Sequence, residues 1–277
     1  MRLPTGSPET DGGLAVVSGG SSGIGRETAA ALARKGYRTV LIARRQEPLR
    51  DMARDLSRWA PSTAIALDLS SRRTLEDELP RVLGGLGPVD VLVNCAGHGL
   101  YQPFLECTSD DHHRMMLVHY FAATAAIGAV LPSMLDRGTG HVINIGSMAA
   151  KMGPWGHSGY AAAKAALTSL TETLAAEHRG SGVHFSIVHP GIVDTPFFDR
   201  PPLGELRHKS ARHLIAPARV ARAVTRLLDR PRLQVCVPRG YRVIDAIGAV
   251  SPALLHRLIT GRSRLAPREP LRYPVRR

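Results

Sequence analysis

An α/β fold with a doubly wound parallel β-sheet covered by helices on both faces is what this sequence predicts, on three observations. Short β-branched apolar runs alternate with helical patterns along most of the chain, the arrangement that builds parallel sheets. The first apolar run passes through a glycine-rich turn straight into a helical pattern. At 277 residues and 44% hydrophobic content, the chain can bury a full core as one domain.

The elements follow in order. Residues 1–12, MRLPTGSPETDG, are rich in Pro, Gly and Thr, lack the apolar core of a signal peptide, and read as a mobile tail. A single domain is expected over 13–240. It begins with the strand LAVVS, the turn from Gly19 to Gly25 and the helix RETAAALARKG ending at Gly36. The runs TVLIA, TAIAL, VDVLVN, HVINIG, VHFSIVHP and LQVCVP supply the later strands. The alanines, leucines and periodic apolar residues of YAAAKAALTSLTETLAAEH predict a long helix. Residues 241–277 form an extension, in which Val243, Ile247, Val250, Leu254 and Leu258 recur near helical spacing with a break at Pro252. Two short amphipathic helices are expected, the second capped by Ser251 with Pro252 as its first residue.

The chemistry concentrates in GSMAAKMGPWGHSGYAAAK. Tyr160 and Lys164 are four apart, so on a helix they leave the same face one turn apart. An ammonium there favours phenolate and is expected to lower the tyrosine pKa from about 10, toward the working range of a general acid/base. Ser147 ends the run HVINIG, where its hydroxyl can donate to a substrate oxygen while Tyr160 exchanges a proton with that same oxygen. Taken alone, a Tyr/Lys pair at this spacing is usually a surface pair. The other end of the chain changes that reading. In LAVVSGGSSGIG, Gly19, Gly23 and Gly25 permit a tight turn, close approach of a pyrophosphate and close helix-sheet packing, with a helix N-terminus facing the phosphates.

With its G-x-x-x-G-x-G spacing, the glycine turn together with the Ser/Tyr/Lys set resembles the classical short-chain dehydrogenase/reductases, a Rossmann-like family, over roughly residues 12–240. The resemblance implies that Ser18, Gly19, Ser21, Ser22, Gly23, Ile24 and Gly25 form the phosphate loop, with Ser18 where the family usually has Thr. It implies that Asp68 and Leu69 meet the adenine, and that Asn94, Ala96 and Gly97 of NCAG stand beside the cofactor like the family's NNAG. Pro190, Gly191, Ile192 and Thr195 would contact the nicotinamide carboxamide, and Tyr160 and Lys164 would hold the nicotinamide ribose as well as act in catalysis. One departure is clear. Where the family's catalytic tetrad has Asn, supporting a helix distortion and a water path to the lysine, MMLVHYFAAT places His119. Its pKa near ~6.5 and its shape differ from an amide, which leaves two readings open, a relay group or a packed ring.

Cofactor choice is read at the end of the second strand. An acid there would accept from an NAD ribose, whereas Arg44-Arg45 match the geometry of a 2′-phosphate, so NADP(H) is favoured over NAD(H). Only four of the 36 basic residues are lysines, so arginine abundance is the competing explanation; the missing acid is independent of it.

Three widely spaced cysteines, Cys95, Cys107 and Cys236, form neither a disulfide framework nor a zinc motif. Adjacent His112 and His113 point in different directions on a helix, so no metal is expected. Lacking a signal peptide and any apolar run of eighteen residues, the chain is expected to be cytoplasmic and not membrane-spanning. The net charge of +13 raises nucleic acid as a partner, but basic residues scattered among acids, as in PLRDMARDLSRWA, argue for a solvated face and against specific nucleic-acid binding. The exception is residues 261–277, with six arginines against Glu269. The extension is expected to pack on the domain or in a subunit contact of a homo-oligomer, with peripheral membrane contact as the other reading.

By the resemblance, the substrate site draws on His98–Phe104, Met148–His157 and Thr195–Arg212. There Leu100, Tyr101, Phe104, Met148, Trp155, Phe197 and Phe198 favour a hydrophobic ketone, aldehyde or secondary alcohol. Arg200, Arg207, His208, Lys209 and Arg212 are either a dock for an acidic carrier or solvated loop charges. An NADP(H)-dependent oxidoreductase is the leading expectation. A non-catalytic dinucleotide-binding regulatory or scaffold protein of the same fold is the second, opposed by the intact Ser/Tyr/Lys set and kept open by His119.

Overall fold

The structure, a computed structural model, describes residues 13–199, 203–204 and 211–262. The expected tail at 1–12, the loop residues Arg200, Arg207, His208 and Lys209, and the arginines beyond Arg262 lie outside the described residues.

Seven parallel strands form one sheet in the order β3-β2-β1-β4-β5-β6-β7. They are β1 (Leu14–Ser18), β2 (Arg38–Ala43), β3 (Ser62–Ala66), β4 (Val91–Asn94), β5 (Gly140–Ile145), β6 (Val183–Pro190) and β7 (Gln234–Val237). All seven coincide with the β-branched runs of the sequence. Strands β1, β4 and β5 are buried throughout, which is why they read as continuous apolar runs rather than as alternation. The edge strand β3 is only half-buried. Register is fixed at the centre, where Val16 pairs with Val40 on one side and Leu92 on the other. The order of connection reverses between β1 and β4, and the crevice beyond their carboxyl ends is where a parallel sheet of this kind holds its ligand.

Helices cover both faces. On one, α1 (Gly23–Arg34) and α2 (Gln46–Leu56) pack with α8 (Pro217–Asp229) over Val17, Leu41 and Val93. Helix α2 shows the logic plainly: Leu49, Met52, Ala53 and Leu56 recur at i, i+3, i+4 and i+7 and are buried. Its outer face carries Arg50 paired with Glu47 and Arg54 with Asp51, exposed pairs that answer the scattered charge of the sequence and add little stability. Burial of each such leucine is worth about 1.5–3 kcal/mol. On the other face lie α3 (Leu79–Gly84) and a long helical run made of α4 (Ser109–Met116), a π-helical turn (Leu117–Phe121) and α5 (Ala122–Arg137), packed over Leu14, Val16 and Leu92. Thr108 caps α4 reciprocally: its hydroxyl accepts from the Asp111 amide at 3.1 Å and the Asp111 carboxylate accepts from the Thr108 amide at 2.9 Å.

By length and composition the run Ser109–Arg137 is apolar enough to cross a membrane, although polar and charged residues interrupt its apolar sequence. Its Ala122, Ala126, Ile127, Val130 and Met134 pack on the sheet as a core helix does.

Two short helices end the described chain, α9 (Arg242–Val250) and α10 (Pro252–Arg262). As the sequence predicts, the break falls at Ser251-Pro252, with the Ser251 hydroxyl accepting from the Leu254 amide at 3.3 Å. No residue of α9 is buried, and Val243, Val250, Leu254 and Leu258 are exposed, because only the opposite side of each helix meets the domain.

Candidate active site

A cleft of about 480 Å³ lies at the carboxyl edge of the sheet. Its floor is the turn between β1 and α1. Gly19 has φ +73, a conformation that favours glycine, and a Cβ on Gly25 would run into the carbonyl oxygen of Gly19. The turn can therefore close tightly only as glycine, which leaves its backbone and the start of α1 open to the cleft. Ser18 does not itself line the cleft. Its hydroxyl accepts from the amides of Cys95 at 3.0 Å and Ala96 at 3.1 Å, tying the end of β1 to the end of β4.

Along one wall stand Arg44, Arg45, Asp68 and Leu69, as the sequence predicts. For Asp68, burial acts to raise the carboxyl pKa, but hydrogen bonds from the Ser70 hydroxyl (2.7 Å) and amide (3.0 Å), aided by the Arg44 charge, outweigh it and hold the pKa low. The opposite wall holds Ala96, Gly97, Pro190, Gly191 and Thr195. Besides Ser18, two more predicted cofactor residues stand back from the surface. Asn94 is buried and donates its side-chain amide to Asn144 at 2.9 Å, and Asn144 in turn donates to Thr171 at 2.9 Å; this buried amide chain secures β4, β5 and, beyond the short α6 (Ala149–Met152), the helix α7 (Ser158–Glu177). Ile192 packs with Tyr101, Phe198 and Leu203.

Ser147, at the end of β5, and Tyr160 and Lys164, one turn apart on α7, all face this cleft. The Ser147 hydroxyl accepts from the Ala149 amide at 3.0 Å and shares the cleft with the Tyr160 phenol, whose pKa it acts to lower. Lys164 is buried, donates to the Ile145 carbonyl at 2.6 Å, and places its nitrogen 6.0 Å from the centre of the Tyr160 ring.

The expected depression of the tyrosine pKa is overturned. Burial pushes the Tyr160 phenol up to about 12, against the opposing effect of Ser147. Burial also brings the pKa of Lys164 down, to about 8. The site thus holds a neutral phenol, ready to donate, beside an ammonium that is easily discharged.

His119 sits at the middle of the π-helical turn, so the helix distortion the family associates with Asn is present here around an imidazole. Its Nε2 lies 2.8 Å from the carbonyl oxygen of His98; since that oxygen can only accept, Nε2 carries the proton. Nδ1 is then a bare acceptor, buried and without a hydrogen-bond partner. Burial first, and then the Lys164 charge, drive the His119 pKa well below 6.5, so the ring is neutral. Gly97 makes room for it, since a Cβ there would lie 2.7 Å from His119 Nδ1.

The aromatic residues expected around the substrate divide between two spaces. Phe197 and Phe198 line the main cleft, with Phe197 5.7 Å from the Tyr160 ring. Phe104 and Trp155 line a neighbouring cleft of about 360 Å³. Tyr101 is buried between them, packed on Trp155 at 5.3 Å and His157 at 4.9 Å, and Met148 is buried beneath. Sequence reasoning missed His157, whose ring lies 5.9 Å from Tyr160 and whose Nδ1 is 3.0 Å from the Trp155 carbonyl. Its place three residues before Tyr160 was the available signal. It also missed Cys95, which lines the cleft beside Lys164 and whose thiol burial pushes up to about 12.

A glycine turn at a sheet switch point, facing a Ser/Tyr/Lys set, defines an α/β oxidoreductase of the dinucleotide-binding kind. Residues 13–202 match the family described as short chain dehydrogenase, and the chain belongs to it. It is 30% identical over 218 residues to an uncharacterized oxidoreductase of Staphylococcus epidermidis, covering 79% of this chain and 91% of that one. Among solved structures it resembles a short-chain dehydrogenase from Sphingobium yanoikuyae in complex with NADPH (TM-score 0.75, 25% identity, 92% of this chain and 97% of that one). It is similar too to a short-chain dehydrogenase from Streptomyces avermitilis (TM-score 0.74, 30% identity, 92% and 99%).

Proposed function

We propose that this oxidoreductase transfers hydride between NADP(H) and a hydrophobic ketone, aldehyde or secondary alcohol. The observation that carries the reading is the convergence of Ser147, Tyr160 and Lys164 in the same cleft as the glycine turn. The residues fit a dinucleotide: side-chain-free backbone at the start of α1 suits a pyrophosphate, and Arg44 and Arg45, standing at the end of β2 where an NAD-binding acid would be expected, suit a 2′-phosphate. The Sphingobium protein's complex with NADPH supports the same choice. When bound, the nicotinamide supplies or accepts the hydride.

The chain's own groups handle the oxygen. Ser147 donates a hydrogen bond that orients the carbonyl. Tyr160, neutral at physiological pH, gives its proton to that oxygen in reduction and recovers one from the alcohol in oxidation. Lys164 holds the ribose and supports transient phenolate charge while it is itself protonated. His119, neutral and fixed in one tautomer, acts as a hydrogen-bond acceptor in the cleft wall rather than as a carrier of protons. Phe197 and Phe198 support an apolar substrate. The free thiols Cys95, Cys107 and Cys236 are consistent with a cytoplasmic site of action.

The test is a panel of hydrophobic ketones and alcohols assayed with NADPH and NADH by absorbance of the reduced cofactor. Turnover with NADPH in preference to NADH is expected. Dinucleotide binding without turnover of any substrate would favour the scaffold reading.

A further inference from the structure

We infer that the α9–α10 pair is a docking face for an anionic phospholipid surface. Three observations converge on it. First, Val243, Ala246 and Val250 fall at i, i+3 and i+7 on α9 and all are exposed, Val243 at 62% and Val250 at 87%. On α10, which follows directly, Leu254 and Leu258 lie one turn apart and are exposed at 48% and 38%. Large apolar side chains standing together on a surface mark an interaction site rather than chance exposure.

Second, the pair is held to the domain by its other side. The Lys151 ammonium meets the Asp245 carboxylate at 3.3 Å and the Tyr241 ring occupies the space beside Gly191, while Leu255 of α10, buried against Gly248 of α9, joins the two helices to each other. The exposed stripe is therefore the outer face of an anchored element.

Third, charge selects the occupant. From residue 239 to 262 the sequence has four arginines, Arg239, Arg242, Arg257 and Arg262, against one acid, Asp245, which is already paired with Lys151. A second copy of this chain would bring the same excess of positive charge to the contact, whereas an anionic bilayer attracts it and accepts the apolar stripe among its acyl chains. A nucleic acid would satisfy the arginines but offers nothing to Val250 and Leu254.

The experiment is flotation of the full chain with vesicles of phosphatidylcholine alone and of phosphatidylcholine mixed with phosphatidylglycerol. Binding to the mixed vesicles only, weakened by salt, is expected. The double variant Val250→Asp/Leu254→Asp should bind them on the order of tenfold or more less tightly. Circular dichroism checks its folding, and single Val250→Ser and Leu254→Ser variants, each expected to weaken binding by a smaller factor, serve if the double variant does not fold. No binding to the mixed vesicles, or undiminished binding by the folded variants, overturns the inference. So does a change from dimer to monomer in the variants by light scattering, which would give the face to a second copy. Salt-sensitive binding to duplex DNA with none to vesicles overturns it as well.

Discussion

The imidazole of His119 stands edge-on to the phenol of Tyr160, with ring centroids 5.1 Å apart and planes at 83°. A group on the π-helical turn thus touches the group proposed to move the proton, while its own proton is committed to the His98 carbonyl 2.8 Å away. The residue where this chain leaves its family's pattern shapes the surroundings of the tyrosine and is held neutral while doing so.

His119→Leu removes the donor to the His98 carbonyl, so we expect a stability loss of about 1–3 kcal/mol and a lower kcat. His119→Asn restores an amide donor and acceptor and should keep or raise the wild-type rate. Because the imidazole is already neutral, the acid limb of the pH–rate profile should be the same in wild type and His119→Asn. A loss of that limb in His119→Asn would show that the imidazole titrates in catalysis.

Tyr160→Phe keeps the packed ring and deletes the transferable proton. We expect kcat to fall by about 10²–10⁴-fold with NADPH affinity within a few-fold of wild type, read by steady-state kinetics and cofactor fluorescence. Retention of wild-type turnover would remove the tyrosine from the mechanism.

Arg44→Asp exchanges a phosphate partner for a carboxylate that repels phosphate and accepts from a ribose hydroxyl. Loss of a charge-assisted contact of about 1.5–3 kcal/mol corresponds to a weakening of NADPH binding on the order of 10–100-fold, with NADH binding unchanged or tighter. Titration of both cofactors into both proteins checks it; equal affinities in the wild type would count against the NADP(H) assignment.

Lys164 has a folded pKa of about 8, below its ordinary value of about 10.5. The fold therefore favours the neutral amine, and keeping the buried charge costs stability at pH 7. That cost is fully present below pH 8 and vanishes as pH rises to the unfolded value. Lys164→Met should melt higher than wild type at pH 7, with the advantage shrinking between pH 8 and pH 10, while cofactor binding is lost. A melting-temperature difference independent of pH over that interval would contradict this.

Much of this was legible in the residues, because parallel strands buried on both faces leave unbroken apolar runs and a tight phosphate turn can be written only with glycine. Tyr160 and Lys164 were legible as a pair because helical spacing places them. Their pKa values were not: spacing gives proximity, but the balance between proximity and burial depends on what closes over the ring, here Phe197, His119 and His157, which come from separate elements. Asn94 misled for a related reason, since its amide partners Asn144 and Thr171 are distant in sequence. Which way the apolar stripe of α9 turns was not legible, because periodicity says which residues share a face and nothing about what that face meets.

Gly191 lines the cleft wall, and the space a side chain would need there is filled by the ring of Tyr241 at the root of the α9–α10 pair. Positions 191 and 241 are consequently not free to vary independently. In a lineage of such proteins, a residue larger than glycine at the first requires that the ring at the second be given up, and with it the seat of α9. The two should change together or not at all, a coupled substitution pattern that an alignment of close relatives would display.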